Sequence, residues 1–527
     1  MSREISLESF DAQLVATMED TEAQPEPGAP FRIALLGDWS GRSNRGLLAS
    51  GAELAHQRSM LVDCDNLDEV MAHLGVRLSL SLSSTGNSSL TIDFNKLDHF
   101  HPDPISERSE LFQALRETRA QLSDPKTLAQ AAAKVRSWAD LPEPEAATTE
   151  PDPKQDLAAI DAKASGGNLL DQVLEMSDEQ AAPALRAAAD TPSSDIRALV
   201  QEAVRPYLLP DDSEQEPLIA AVDRAMGEKM RTILHNPDFQ ALEAAWRALD
   251  FLVSGLETGT ELKVYLLDIS RAEMEADLLT DEEIHATGIY RLLVESTVET
   301  FGGQPWALLA GNYFFDFTLQ DAALLERLSI VAKHARAPFV AAARSRVIGC
   351  ESLSATPDTQ DWKFTSDAPT ESAWETLRRL PTARYLGLAL PRFLLRLPYG
   401  KETEPTEEFD FEELLHSAGP THESYLWANP VFAVALLLAR AFLRSGWDLH
   451  PGELQEIEGL PIHVYEEGGE THIKPCAEVL LTVRAAEKII ECGPMPLLTM
   501  KDTGTVCLGM LQSLALPATR LAGRWGE

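Results

Sequence analysis

The 527 residues and 57.8 kDa of this chain suffice for about three or four compact units; with 44% hydrophobic and 24% charged residues, the composition is that of an ordinary globular protein. Lys and Arg number 45 against 83 Asp and Glu, a net charge of −38, which argues against duplex nucleic acid and anionic membrane surfaces as partners, because both are held by cationic side chains. Five scattered cysteines, Cys64, Cys350, Cys476, Cys492 and Cys507, offer neither a disulfide framework nor a CxxC pair, so a reducing, cytoplasmic setting is expected.

The N-terminus lacks the basic start and apolar run of a secretory signal. Residues 1–29 are polar, close on a Pro/Gly-rich run and read as a flexible segment. A first unit spans 30–138. Phe31–Asp38 reads as a buried strand closing in a glycine turn, and Leu78–Leu82 and Leu90–Phe94 as further strands. Between them Leu67, Val70, Met71 and Leu74 mark a helix behind the capping residues Asp65 and Asn66. Helices follow from about Ser106 to Trp138, which makes this a small mixed α/β unit.

Residues 139–166 combine four prolines with acidic and small residues, the composition of a linker. Within 167–216, an N-terminal helical segment, Leu169, Leu170, Val173 and Leu174 fall on one helix face. Residues 217–400 form the larger core. Leu218, Val222, Met226, Met230 and Ile233 predict a long helix, Asn236-Pro237 breaks it, and Phe239, Leu242, Trp246, Leu249 and Val253 predict a second. Strands then alternate with helices: strand Leu262–Leu267, helical stretches through Ser270–Thr300, strand Trp306–Ala310, helix Leu319–Ala335, strand Phe339–Ala343 and strand Tyr385–Leu390. That alternation predicts an α/β fold whose mainly parallel sheet is flanked by helices. In 401–527, Tyr425–Leu443 reads as a buried helix, and Ile462–Val464, Val479–Thr482 and Thr505–Leu508 as strands of a shorter C-terminal domain. The longest apolar stretch, Pro430–Leu443, runs for about 14 residues and contains Arg440, short of the ~20 that a spanning helix needs.

Catalytic chemistry finds no anchor. Gly37-Asp-Trp-Ser-Gly41-Arg-Ser43 follows a strand but lacks the spacing and lysine of a phosphate loop, and reads as a tight turn. The acidic run Asp63–Glu69 places Leu67 where a calcium ligand belongs, and reads as a helix cap. His99 and His101 flank Phe100 without a third ligand nearby, and no HExxH or GxSxG string occurs. Cys476, Cys492 and Cys507 are spaced as core thiols. No cofactor, metal or enzymatic activity is expected.

Longer strings say more. Pro30-Phe-Arg-Ile-Ala-Leu-Leu-Gly-Asp-Trp-Ser-Gly41, Val62–Met71 and Leu97-Asp-His-Phe-His-Pro102 resemble the small subunit of the bacterial type VI secretion contractile sheath over about 30–138. The large sheath subunit is resembled by about 167–527, through Ile233-Leu-His-Asn-Pro-Asp-Phe-Gln-Ala-Leu-Glu-Ala-Ala-Trp-Arg247, Thr300-Phe-Gly-Gly-Gln-Pro-Trp-Ala-Leu-Leu-Ala-Gly-Asn-Tyr313, Ala337–Ala343, Leu390-Pro-Arg-Phe-Leu-Leu-Arg-Leu-Pro-Tyr-Gly400 and Tyr425-Leu-Trp-Ala-Asn429. The resemblance implies a fusion of the two subunits, acting as a structural sheath component that assembles with other sheath subunits or copies of itself around an inner tube and contributes to contraction. It implies further that Leu169, Leu170, Val173 and Leu174 contact the AAA+ ATPase that disassembles contracted sheaths, and baseplate components are further possible partners. Relative to the family the C-terminal region looks shortened and the usual N-terminal strand is reduced to Ile5 and Leu7, which suggests, as an alternative, a non-polymerising accessory that caps, nucleates or regulates the sheath. An unrelated soluble enzyme is the remaining alternative.

Overall fold

The structure is a computed structural model that describes residues 25, 28–82, 89–139, 194–208, 215–280, 282–356, 358–415 and 422–525. In chain order the strands are β1 (Phe31–Gly37), β2 (Met60–Val62), β3 (Val76–Ser81), β4 (Ser89–Phe94), β5 (Leu262–Asp268), β6 (Leu308–Phe315), β7 (Phe339–Ala343), β8 (Leu386–Leu390), β9 (Phe393–Leu394), β10 (Trp427–Ala428), β11 (Glu456–Ile457), β12 (His463–Glu467), β13 (Glu470–Lys474), β14 (Met495–Thr499) and β15 (Val506–Leu508). Nine of them form one sheet in the order β11-β15-β14-β8-β7-β6-β1-β5-β2. The strands from β14 to β5 run parallel, while β2 and the β15–β11 side are antiparallel margins.

Every residue of β1 is buried, as expected of a parallel strand with both faces covered. Its side chains alternate between two cores. Phe31, Ile33 and Leu35 join Trp246, Leu249 and Phe432 on one face, and Ala34 and Leu36 join Leu293 and Leu325 on the other. The helices used below are α1 (Leu67–Leu74), α2 (Glu110–Ser123), α3 (Ser194–Val204), α4 (Gln215–Leu234), α5 (Pro237–Ser254), α6 (Arg271–Leu278), α7 (Leu319–Ala335), α8 (Val431–Ser445) and α9 (Val483–Cys492). Helices α2, α3 and α4 pack together, and α5 and α8 lie on the first face of the sheet.

Local chemistry explains the boundaries. Asn236 caps α5, its Oδ1 accepting from the N–H of Asp238 at 2.9 Å and of Phe239 at 3.3 Å, with Pro237 at the first helical position. Thr318 caps α7 through the Asp321 N–H. Helix α8 begins only at Val431, behind Pro430, and of the expected helical residues before it Trp427 and Ala428 form β10 instead; a residue preceding proline is driven out of the helical region. The expected strand at Val479–Thr482 is absent: Thr482 caps α9, its Oγ1 accepting from the Ala485 N–H at 3.2 Å. Strand β6 reaches Phe315, with a register shift between Ala310 and Phe314.

The sheet does not respect the divisions expected from sequence. Strands β1 and β2 lie in the sheet built mostly from residues beyond 216, and of the strands in 30–138 β3 and β4 alone form a separate pair. At the other side β14, β15 and β11 continue the same sheet beyond β8, so 401–527 adds strands to the core besides its own two-stranded β12–β13 sheet. Leu169, Leu170, Val173 and Leu174 lie outside the described residues.

Candidate functional site

The chemistry-bearing residues converge on the seam where residues 31–139 meet residues 194–525. At its centre is the turn after β1. Asp38 accepts from the N–H groups of Arg42 at 2.6 Å and Ser43 at 2.8 Å, which closes the turn, and Gly41 has φ +77°, at a point where a Cβ would run into the Arg77 carbonyl. The Gly37–Ser43 motif is thus a structural turn whose outward groups are spent on the facing half. The N–H of Trp39 (2.8 Å), the N–H of Ser40 (3.2 Å) and the Ser40 hydroxyl (2.8 Å) all donate to Asp268 at the end of β5.

Two further carboxylates on α6 continue this pattern. Glu273 completes a capping box with Ser270, accepts from the Ala49 N–H at 2.9 Å and binds the Arg42 guanidinium through three contacts of 2.6 to 3.0 Å. One turn on, Asp277 accepts from the N–H groups of Gly51 at 2.8 Å, Gly288 at 2.9 Å and Ile289 at 2.9 Å. Burial pushes Asp268 above the usual carboxylate range despite its hydrogen bonds. Burial also acts to raise Glu273, but the Arg42 guanidinium and the Ser270 and Ala49 N–H groups outweigh it and hold this carboxyl below that range. On the apolar side of the seam, Trp246 Nε1 donates to the Trp39 carbonyl at 2.9 Å, and the two indoles meet edge to face at 5.7 Å. Phe94, Phe100 and Phe239 form a second aromatic contact across the seam.

A buried ion network lies behind these contacts. Arg396 donates to Glu243 at 2.8 Å and Glu413 at 2.7 Å, Arg247 donates to Glu243 at 2.7 Å and to the Tyr399 hydroxyl at 2.9 Å, and Arg396 also stacks over the Tyr399 ring at 4.1 Å. Two arginines and two glutamates balance in charge, the arrangement that permits ions to be buried. His101 meets the Tyr399 ring edge-on at 4.8 Å, linking residues 31–139 to the network, while its Nδ1 caps a helix through the Asp103 N–H. Asp103 in turn accepts from the N–H groups of Glu407 and Glu408. His99 and His101 therefore serve as local acceptors, and Asp63 accepts from Asp65 and Asn66 ahead of α1. Cys476 lies buried with its Sγ 2.8 Å from Thr499 Oγ1. Among the described residues no group of three His, Cys, Asp or Glu is placed to hold a metal ion. Beside the turn is an open cleft of about 300 Å³, lined among others by Asp38, Leu78, Asp238, Leu242, Tyr313 and Arg344.

Comparison with known proteins gives this seam its context. The sequence pattern of VipB, described as a tail sheath N-terminal domain, matches residues 216–515, and that of VipA of the type VI secretion system matches residues 13–139. The chain belongs to the type VI secretion sheath family. It carries the small-subunit and large-subunit sequences in one polypeptide and is a structural component of the secretion system. Over 345 residues it is 33% identical to the type VI secretion system sheath protein TssC1 of Pseudomonas aeruginosa, a match covering 64% of this chain and 69% of that relative. This is a family of structural proteins and not a known enzyme family. The VipA match begins before the resemblance read from Pro30 onward, whereas the VipB match begins at 216, inside the stretch from about 167 over which the large subunit is resembled. The strings that carried the resemblance supply much of the seam of this sheath protein: Trp39 and Ser40 on one side, Glu243, Trp246 and Arg247 on the other, with Arg396 and Tyr399 behind. Asp268, Glu273, Asp277 and Glu413 were not anticipated. Isolated acidic residues in a chain with 83 of them carry no local signal, and only the fold brings them to their donors.

Proposed function

We propose that this chain is a sheath protomer carrying both subunit sequences in one polypeptide, which polymerises with copies of itself or with other sheath subunits around an inner tube and contributes to contraction, working in the cytoplasm. The observation that carries this reading is the place of β1. A strand hydrogen-bonded to β5 on one side and β6 on the other cannot leave without exposing two unpaired edges, so the VipA-like and VipB-like parts move as one block. A contractile lattice needs such blocks, because its motion is a switch between two packings of rigid subunits. The same reading holds that the chain has no bond-making activity of its own, and in its support the seam carboxylates are engaged by backbone N–H groups or arginine. Among the described residues no helix is long and apolar enough to cross a membrane.

Electron microscopy of the purified protein tests the reading. Hollow tubules with a helical lattice are expected; discrete particles of fixed size at high concentration would overturn it in favour of a capping, nucleating or regulating accessory. Residues 168–176 are, on the same reading, a helix presented to the AAA+ disassembly ATPase, with Leu169, Leu170, Val173 and Leu174 filling a groove. Replacing Leu170 and Val173 together with Asp should leave the melting temperature unchanged and abolish ATPase binding in a pull-down, and binding at the parental level would remove that role.

A further inference from the structure

A sheath protein needs contacts that repeat from copy to copy, and two features at opposite ends of β6 fit each other. The first is a projecting ring. Phe301 is fully exposed, the most exposed of the large apolar side chains in the described residues. It is held out by the turn Thr300–Gly303, in which the Gly303 N–H donates to the Thr300 carbonyl at 2.9 Å and Gly302 takes φ +77°, the pattern of a type II turn. A Cβ at Gly303 would collide with the carbonyls of Thr297 and Thr300, and the Thr300 hydroxyl donates to the Glu295 carbonyl at 2.6 Å. The turn is therefore built to a fixed shape. An exposed aromatic on such a turn gains nothing for the isolated molecule, and aromatic anchors of this kind dominate binding where they meet a pocket.

The second feature is the cleft of about 300 Å³ beside the turn after β1. Its apolar lining comes from Leu78, Leu242, Tyr313 and Phe314. Its acids are already occupied: Asp38 by the N–H groups of Arg42 and Ser43, and Asp238 by Asn44 Nδ2 at 2.8 Å. Arg344 stands exposed at the rim, 5.4 Å from the centre of the Phe314 ring, with no carboxylate partner among the described residues. The exposed charges next to Phe301 in the chain are Arg291, Glu295 and Glu299; Arg291 lies 4.0 Å from Glu295, which leaves Glu299, hydrogen-bonded by the Tyr290 hydroxyl but with no Lys or Arg partner among the described residues, complementary to that arginine.

We propose that Phe301 of one copy seats in this cleft of a second copy of the chain, with Arg344 at the rim facing Glu299 beside the Phe301 turn. The Phe301 turn comes before the start of β6, and the cleft is lined from the far end of that strand, whose eight residues extend for about 26 Å. The contact is therefore head-to-tail, and such a contact generates an open helical array unless its rotation happens to close a ring. This inference rests on the reading of the chain as a polymerising protomer and adds the pair of surfaces that meet.

Cysteine pairing tests it in a Cys64→Ser background, Cys64 being the exposed native cysteine. Phe301→Cys combined with Ala241→Cys, a lining residue of the cleft that is exposed, should yield a ladder of disulfide-linked multimers. The two single variants mixed should yield dimers only, and either one alone none. Phe301→Asp, fully exposed and so expected to melt at the parental temperature, should raise the concentration needed for tubules about tenfold or more. Tubules from the parent that persist in Phe301→Asp at an unchanged concentration, or links only between like positions, overturn this contact while leaving the protomer reading intact. A parent that forms no tubules, together with single variants that give no mixed dimer, overturns both.

Discussion

Arg396 shows how far single residues commit this fold. It sits buried between Glu243 and Glu413, and removing it leaves Glu413 without its arginine and Glu243 with Arg247 alone. Arg396→Met should cost about 3–5 kcal/mol in urea unfolding. Arg119→Ala, which breaks the exposed 2.6 Å pair with Asp223, should cost less than about 1 kcal/mol. Glu413 supplies the corresponding pH dependence. Burial alone would raise this carboxyl, but attraction to Arg396, hydrogen bonds from Arg396 and the Tyr399 N–H, and the His235 ring 3.5 Å away hold it at about 2, against an ordinary 4.5. Glu478 is held at about 2 in the same way, by His422 and Arg392 against its own burial. A depressed carboxylate contributes its full stability above pH 4.5, and the contribution drains away as pH falls toward 2. Urea midpoints should therefore be insensitive to these two groups near neutrality and decline between about pH 4.5 and 2. Glu413→Gln should flatten that decline while lowering the neutral midpoint.

Among the elements, β1 separates what the sequence discloses from what it withholds. Five apolar residues and one arginine before a glycine turn identify a buried strand, and the structure agrees. Helix α7 and strand β7 likewise fall at the expected residues, because caps, periodicity and length are local properties. The neighbours of β1 were not legible. A strand apolar on both faces fits any interior position of a parallel sheet, so its pairing with residues more than two hundred positions away left no mark in the string. The same blindness made Val479–Thr482 look like a strand, since four residues of that composition serve equally as the approach to a capped helix. The seam carboxylates were hidden for a related reason, their donors being backbone N–H groups that every residue possesses. The pairing of β1 has a measurable outcome. Cutting a protease site inserted within 139–166 should leave both fragments co-migrating in size-exclusion chromatography, and fragments that separate without denaturant would show that the shared sheet is dispensable. Residues 1–139 expressed alone should be insoluble or bound to chaperones.

On the scale of the whole molecule, the margins of the nine-stranded sheet are short: β2 has three residues and β11 two. Short edges discourage sheet-to-sheet association, which leaves lattice contacts to projecting parts of the surface. The continuity of the sheet also makes the described chain a single cooperative body. Indole fluorescence, which samples Trp39 and Trp246 across the seam, and far-ultraviolet circular dichroism should report coincident thermal transitions, and two separated transitions would contradict one shared core. The interleaving of β1 carries a further consequence for synthesis. Its partner β6 begins at Leu308, so at ribosomal speeds of roughly 5–20 residues per second the nascent strand waits on the order of 15 to 50 s for its second neighbour. Throughout that interval an adhesive apolar segment hangs beside the translating ribosome, and a holding chaperone or the first-made helices must shield it.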